Sequence, residues 1–389
     1  MSTKLVLAQQ YPFETNTFPG GVHTAGYYLA RGMQAREDID VRVLTVSGQA
    51  PCDMDRVDDG LRVRFLSEPK VRIVPNMSRN IRRLTRQLKE MKPDIVNGNL
   101  VIYAVAALRA GLPTVFTVHG VIHKEAQVYA KPLDRLRYSL YVKYDREAMS
   151  KVEHIIATSH YVVKEYDGLT AAKFHVIDNC IDERFFGVPN NEEPDRLLYG
   201  GLVYDRKNVL GLLEVARRLV ETRPNLKLRV AGKIADQAYY EQCQAFVSEH
   251  GMERNVDFLG QTTVETMMEE LSRATMLLLP SKQETAPLVI SEGLGAGKPV
   301  VASTAGGISN LVHDGETGFV ADWRDNDRFV ECIDRLLGDK DLRERMGRAA
   351  REEAIRRFSK DAVAAQTVKV YEEVLASSHS QQSGRTQHS

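Results

Sequence analysis

Short runs rich in Val, Ile and Leu recur along the whole chain, separated by longer stretches with helical spacing of apolar positions. In the first half the runs are Leu5–Ala8, Val41–Val46, Asp94–Val96, Thr114–Val118, His154–Ala157 and His175–Ile177. In the second half they are Arg196–Tyr199, Lys227–Val230, Val256–Leu259, Met276–Leu279 and Pro299–Ala302. Alternation of strand-length and helix-length patterns predicts parallel sheets covered by helices on both faces. A polar, proline-punctuated stretch, Phe186 to Asp195, divides the chain nearly in half and reads as a linker. The expectation is two Rossmann-like α/β domains, residues 1–187 and 188–360, whose ligands bind beyond the carboxyl ends of the strands, in the cleft between domains.

Composition narrows the class. The 389 residues suffice for two domains, and 43% hydrophobic with 27% charged residues is ordinary for a globular protein. Formal net charge is zero, which gives no footprint for nucleic acid. The four cysteines have no paired spacing and read as reduced thiols. The opening Met1–Ala8 run is too short for a signal-peptide core, and no run approaches a membrane span. The expected location is cytoplasmic, at most peripheral on the inner face of a membrane.

The segment from Ser281 to Lys298 carries the most chemistry. Glu284 and Glu292 stand with seven residues between them, bracketed by the apolar runs Met276–Leu279 and Pro299–Ala302. The layout is strand, loop, helix, strand, with the helix beginning near Pro287. The unpaired N–H groups of its first turn, Thr285, Ala286, Pro287, Leu288 and Val289 being the residues there, with the helix dipole, form a seat for a diphosphate. Glu292 lies on the order of 10 Å further along the helix, so the two carboxylates could accept hydrogen bonds from sugar hydroxyls on either side of such a group. Taken alone, the pair would more often be a helix cap and a solvated helix residue, because short spacings match by chance.

This Glu-x7-Glu pair is followed by Gly297-Lys-Pro-Val-Val-Ala-Ser303, by Gly306-Gly307 and by Asp314-Gly315-Glu-Thr-Gly318-Phe319. The combination resembles the family-4 retaining glycosyltransferases of the GT-B fold, most strongly from Tyr199 to Ala321. The resemblance implies that Glu284 contacts the donor sugar and Glu292 the nucleotide ribose. It also implies a helix, residues 361–376, crossing back to the first domain; the Ser-, Gln- and His-rich tail 377–389 is expected to be disordered.

Other positions take meaning from this resemblance. Gly20 and Gly21, in Pro19-Gly-Gly-Val-His-Thr-Ala-Gly26, match the family's glycine loop under the donor diphosphate; Tyr27-Tyr28 stand where a P-loop requires Lys-Ser/Thr, which rejects ATP binding by that route. His119 ends Thr114-Val-Phe-Thr-Val-His119 as the family's histidine near the donor sugar does. In Gly200-Gly-Leu-Val-Tyr-Asp-Arg-Lys207, Lys207 matches the family's diphosphate-binding lysine, while Gly201 occupies the arginine position, and Arg206 is a candidate to compensate. Asp53-Met-Asp55 has the form of a metal-binding DxD but reads as a turn-rich solvated loop. No metal and no cofactor are expected. The stretch from Lys70 to Lys92, with Arg72, Arg79, Arg82, Arg83 and Arg86 beside the apolar stripe Ile81, Leu84, Leu88 and Met91, predicts an amphipathic helix whose basic face could contact anionic lipid or an acceptor.

The implied reaction is hexosyl transfer with retention from a nucleotide-diphosphate sugar, UDP- or GDP-linked in preference to ADP-linked, to a glycan or lipid-linked acceptor hydroxyl in envelope polysaccharide, lipopolysaccharide or glycolipid synthesis. A nucleotide-sugar epimerase, a sugar phosphorylase and a catalytically weak sugar-nucleotide-binding protein share the architecture and remain open.

Overall fold

The computed structural model of the chain describes residues 2–14, 18, 20–68, 76–124 and 132–386, with backbone alone for 132–137 and 378–386. They form two units, residues 1–180 with 360–389, and residues 181–359.

The first unit is an eight-stranded sheet built from β1 (Thr3–Ala8), β2 (Ile39–Ser47), β3 (Met54–Asp58), β4 (Leu61–Ser67), β5 (Ile95–Asn99), β6 (Thr114–Val118), β7 (His154–Ala157) and β8 (Lys173–Val176). Its order is β3-β4-β2-β1-β5-β6-β7-β8, parallel except for the β3–β4 hairpin. Helices α1 (Gly21–Gln34), α2 (Asn76–Met91), α3 (Val101–Ala110), α4 (Pro132–Met149) and α5 (His160–Tyr166) connect the strands. Successive strand residues point to opposite faces. Val6, Ala8, Val96, Phe116 and Ile155 therefore join one core with Ile81, Leu84 and Leu88 of α2. Leu5, Leu7, Ile95, Val115 and Ile156 join the other with Leu29, Ala30 and Met33 of α1.

The second unit holds β9 (Arg196–Gly200), β10 (Lys227–Ala231), β11 (Val256–Gly260), β12 (Met276–Leu279), β13 (Val300–Ser303) and β14 (Gly318–Ala321) in the order β11-β10-β9-β12-β13-β14, all parallel. Its helices are α6 (Val209–Thr222), α7 (Gln237–Glu249), α8 (Val264–Arg273), α9 (Leu288–Gly295), α10 (Asn326–Gly338) and α11 (Lys340–Phe358). The last helix, α12 (Lys360–Thr386), belongs to the first unit, where Val363, Ala364, Val368, Tyr371 and Val374 complete the core beneath α1. In both sheets the strand order reverses beside the first strand of the unit, at β1/β5 and at β9/β12. Such a reversal opens a crevice at the carboxyl ends of the strands.

Three expectations need correction. The stretch Phe186–Asp195 is not a free linker: the units divide after Cys180, and the stretch is tied to the second unit by Asn190 with Lys298, Glu192 with Arg343 and Glu193 with Arg273. Its polarity supplies acceptors for cations of the second unit, of which Lys298 and Arg343 are buried. Asp53–Gly60 is not a loop but leads into β3 and its hairpin turn, where Asp59 (φ 43°) and Gly60 (φ 84°) take the left-handed conformations of a type I′ turn. The tail expected to be disordered from 377 is helical through Thr386, with no proline or β-branched run to stop it. Residues 387–389, like Arg72 and Pro19, lie outside the described residues.

Candidate functional site

In the second unit, β9 and β12 are hydrogen-bonded neighbours on either side of the order reversal. Beyond Leu279 the chain turns through Pro280–Pro287 into α9. The turn is anchored by the Ser303 hydroxyl, which donates to the Ser281 carbonyl at 2.5 Å, and by the Gly307 N–H, which donates to the Glu284 carbonyl at 3.0 Å. Gly306 makes this approach feasible: at φ 60° a Cβ would lie 1.8 Å from the Glu284 carbonyl oxygen. Pro287 occupies the N-cap of α9 and no side chain caps the helix. Helices α7, α8, α10 and α11, by contrast, are capped by Asp236, Thr263, Asp325 and Asp339. Leu288 and Val289 thus begin a helix whose first-turn N–H groups lack a side-chain acceptor, with half-exposed Thr285 and Ala286 just ahead.

The sequence-predicted residues converge here. Glu284 is buried and ion-paired with Lys207, whose side chain is also largely covered. Lys207 ends a 3-10 turn, Asp205–Lys207, that is joined to the α9 loop: the Arg206 carbonyl accepts from the Lys282 N–H at 2.8 Å, and Asp205 accepts from the Lys282 ammonium at 2.6 Å. The half-buried Arg206 guanidinium donates to the Tyr204 hydroxyl at 2.7 Å. Gly201 takes φ 154°, and a Cβ there would meet the Tyr199 hydroxyl at 3.0 Å, so the backbone itself disfavours a side chain at the arginine position. Glu292 is half-buried in α9, and its carboxyl has no hydrogen-bond partner among the described residues. Burial, assisted by the negative charge of Asp182, pushes its pKa up to about 7. A carboxylate held partly dry and without a partner is a group prepared to accept from a ligand hydroxyl.

In the first unit, Gly20 is the exposed N-cap of α1 and Gly21 its first residue. The Gly20 carbonyl accepts from the His23 N–H at 3.0 Å, and a Cβ on Gly20 would meet nothing within 4 Å. Packing within the fold therefore does not account for a glycine at this uncapped helix start. His119 follows β6 and lines a small recess with Gly26, Asn97, Asn99, Thr158 and Thr367. Its Nε2 is 3.4 Å from Asn99 Oδ1; Asn99 donates to Gln9 at 2.5 Å, and Gln9 donates to the Gly26 carbonyl at 2.7 Å. With Asn99 oriented this way, the proton sits on Nε2 and Nδ1 keeps its lone pair, an assignment made from the network. Burial lowers the His119 pKa to about 4, so the ring is neutral across the physiological range.

The remaining candidates separate. Of the basic set, Arg79, Arg82 and Arg86 are exposed on α2, but Arg83 turns inward to the Ser67 carbonyl (2.7 Å) and the Asp53 carboxylate. Asp55 is likewise taken up by Arg64 at 2.7 Å, so the DxD carboxylates serve strand-to-helix and cross-strand ion pairs. Sequence reasoning missed Gln9, Asn97, Asn99 and Asp182. The signal was present in β5, where Asn97-Gly-Asn99 places polar residues in a strand buried throughout; a buried amide in such a strand needs a partner and usually has a purpose.

Two family models match, one in each half of the chain. A model described as glycosyl transferases group 1 matches residues 181–353, and one described as glycosyltransferase family 4 matches residues 19–185. Alpha-maltose-1-phosphate synthase of Mycolicibacterium smegmatis is 27% identical over 299 residues, covering 70% of this chain and 76% of that protein. Among solved structures, sucrose-phosphate synthase from Thermosynechococcus elongatus matches with a TM-score of 0.82 at 19% identity, over 96% of this chain and all of that one. Anabaena Alr3699/HepE in complex with UDP and glucose matches with a TM-score of 0.73 at 17% identity, over 95% of this chain and all of that one.

Proposed function

The chain belongs to the family-4 glycosyltransferases of GT-B fold, and we propose from this premise that the α9 crevice of the second unit binds the donor's nucleotide diphosphate with Glu292 on its ribose. The protein is a hexosyltransferase that uses a nucleotide sugar. The observation that carries the finer reading is the half-buried carboxyl of Glu292, without a hydrogen-bond partner among the described residues, inside a helix whose N-terminus has no side-chain cap. The first-turn N–H groups and the helix dipole receive the diphosphate. Lys207 and Arg206 supply positive charge; with Gly201 offering none, these two carry the neutralisation of the leaving group. Lys207 already holds Glu284, so phosphate binding engages a cation whose other partner is the carboxylate that orients the sugar.

In the first unit Gly20 and Gly21 leave space for close approach of the donor. His119, neutral and fixed through Asn99 and Gln9, offers an acceptor nitrogen to a sugar hydroxyl. Transfer proceeds with retention by a front-side displacement: the anomeric carbon–phosphate oxygen bond breaks, the acceptor oxygen bonds on the same face, and the leaving phosphate takes the acceptor's proton. No protein base, metal or cofactor is required for that sequence. A UDP-linked sugar is favoured, since a solved relative in the fold holds UDP and glucose. The exposed basic stripe of α2 favours an anionic or lipid-linked envelope acceptor. Among the described residues no helix is long and apolar enough to cross a membrane.

The test is a thermal-shift screen against UDP, GDP, ADP and their common sugar conjugates, with Glu292→Ala alongside. Ligands that bind the native state raise the melting temperature by mass action. A shift for one nucleotide that disappears in the variant supports the assignment; no shift with any of them overturns it.

A further inference from the structure

Away from the proposed donor site, the first unit gathers a set of nitrogen and oxygen donors that glycosyl transfer does not use. His154 opens β7 and His175 lies in β8, where its strand partner is Ile156. Their rings stack at 13° with centroids 5.3 Å apart, and His154 Nδ1 is 3.0 Å from His175 Nε2. Glu373, from the returning helix α12, completes the group: one ligand atom from each of the three lies within 4.8 Å of the others.

We propose that His154, His175 and Glu373 form a binding site for a first-row divalent cation, Zn²⁺ foremost, that pins α12 to the outer strands of the first sheet. Two imidazoles and a carboxylate are the donor set of three-ligand zinc sites, with a fourth position left to water. At Zn–N distances of about 2.0–2.1 Å, nitrogens at tetrahedral positions stand roughly 3.3 Å apart, so the rings need separate by only a few tenths of an ångström. In the metal-free pair one imidazole donates its proton to the other. On binding, the donating ring moves that proton to its outer nitrogen, and both lone pairs then face the ion. Lys173 donates to one Glu373 oxygen at 2.6 Å, which leaves the other oxygen for the cation and orients the carboxylate as an outer partner would.

The placement argues for a structural role. His154 stands at the amino end of β7, whereas Thr158, which lines the His119 recess, follows its carboxyl end. Strand β8 is the edge of the sheet, only four residues long and partly exposed, so a tie to a helix would secure an element with few other restraints.

The experiment is titration of the tag-free, chelator-treated full chain with Co²⁺, followed by visible absorption and by displacement with Zn²⁺, together with melting temperature in Zn²⁺ and in chelator. One equivalent should bind saturably and Zn²⁺ should raise the melting temperature. His175→Gln and the exposed Glu373→Gln should each weaken binding by at least about tenfold. The nucleotide-dependent thermal shift should survive chelation, which keeps this result separate from that of the donor screen. Absence of saturable binding, or binding unchanged in both variants, overturns the proposal.

Discussion

At the scale of single residues, the informative groups are carboxyls whose partners are incomplete. Glu292, with a pKa raised to about 7, is only partly ionised near neutrality. A ribose hydroxyl donating to it is bound by the ionised form, so affinity should rise with pH as the proton is lost. Between pH 6 and 8 an intact nucleotide sugar, whose diphosphate does not titrate there, should bind up to ~10-fold more tightly, and Glu292→Gln should bind weakly with a flat profile. Calorimetric titration at three pH values decides it. Lys207 and Glu284 make a second case. Lys207→Met leaves a buried carboxyl without its counter-ion, at a cost of up to about 3 kcal/mol. The same substitution should lower kcat/KM by ~10²–10³-fold, since it removes charge from the leaving phosphate. Adding Glu284→Gln should restore much of the melting temperature and none of the activity. Parallel recovery of both would mean that Lys207 serves only to fold the loop.

At the scale of elements, α2 tests how far a sequence pattern can be taken. Ile81, Leu84 and Leu88 are fully buried as their spacing requires, and Arg79, Arg82 and Arg86 remain exposed. If this stripe meets anionic lipid, the chain should co-sediment with phosphatidylserine-containing vesicles at low salt and be released at high salt. Replacing these three arginines by Gln should weaken binding by ~100-fold, at about 1 kcal/mol for each basic residue at the surface. Arg83→Gln should instead lower the melting temperature, because Arg83 ties α2 to Asp53 and the end of β4. An absence of vesicle binding at low salt would remove the membrane reading. The helical pattern was legible because burial sets its period, but Arg83's inward turn was not, because Asp53 is distant in sequence and the stretch between them contains a hairpin. That hairpin had its own mark, Asp59-Gly60 between alternating runs, which the local density of acidic residues obscured. The crevice at α9 was legible from Glu284, Pro287 and Glu292 because one βα unit carries all three. The Gln9–Asn99–His119 chain was not, since it joins three strands that only the sheet order brings together.

At the scale of the molecule, each unit contains a carboxyl that holds its proton unusually far up the pH scale, which gives the stability profile a definite sign. Asp145 in α4 is buried, receives a hydrogen bond from the Tyr166 hydroxyl, and has a pKa raised to about 7 by burial; Glu292 is its counterpart in the second unit. Since both folded values exceed the unfolded ones, the native state retains two protons that the unfolded chain has released. Stability from these groups is full below about pH 4 and fades as pH rises to about 7. His119 works in the opposite direction: its folded value of about 4 lies below the unfolded one, so stability is lost as pH falls from about 6.5 to 4. His23 and His175, also lowered by burial, act with His119, so below about pH 6.5 the two sets oppose each other, and above it the carboxyls act alone. At lower pH, paired acids such as Glu147, lowered to about 2 chiefly by Arg109, lose their contribution as they protonate. The melting temperature should therefore fall between about pH 6.5 and 7.5, where the carboxyls alone lose their protons. Asp145→Asn keeps an acceptor for Tyr166 and should flatten the decline carried by the first unit, as Glu292→Gln should for the second. Where scanning calorimetry resolves two transitions, each variant should flatten one of them. A melting temperature that rises from pH 6.5 to 7.5 in the unsubstituted chain would show that neither carboxyl retains its proton, and would also remove the basis for pH-dependent donor binding through Glu292.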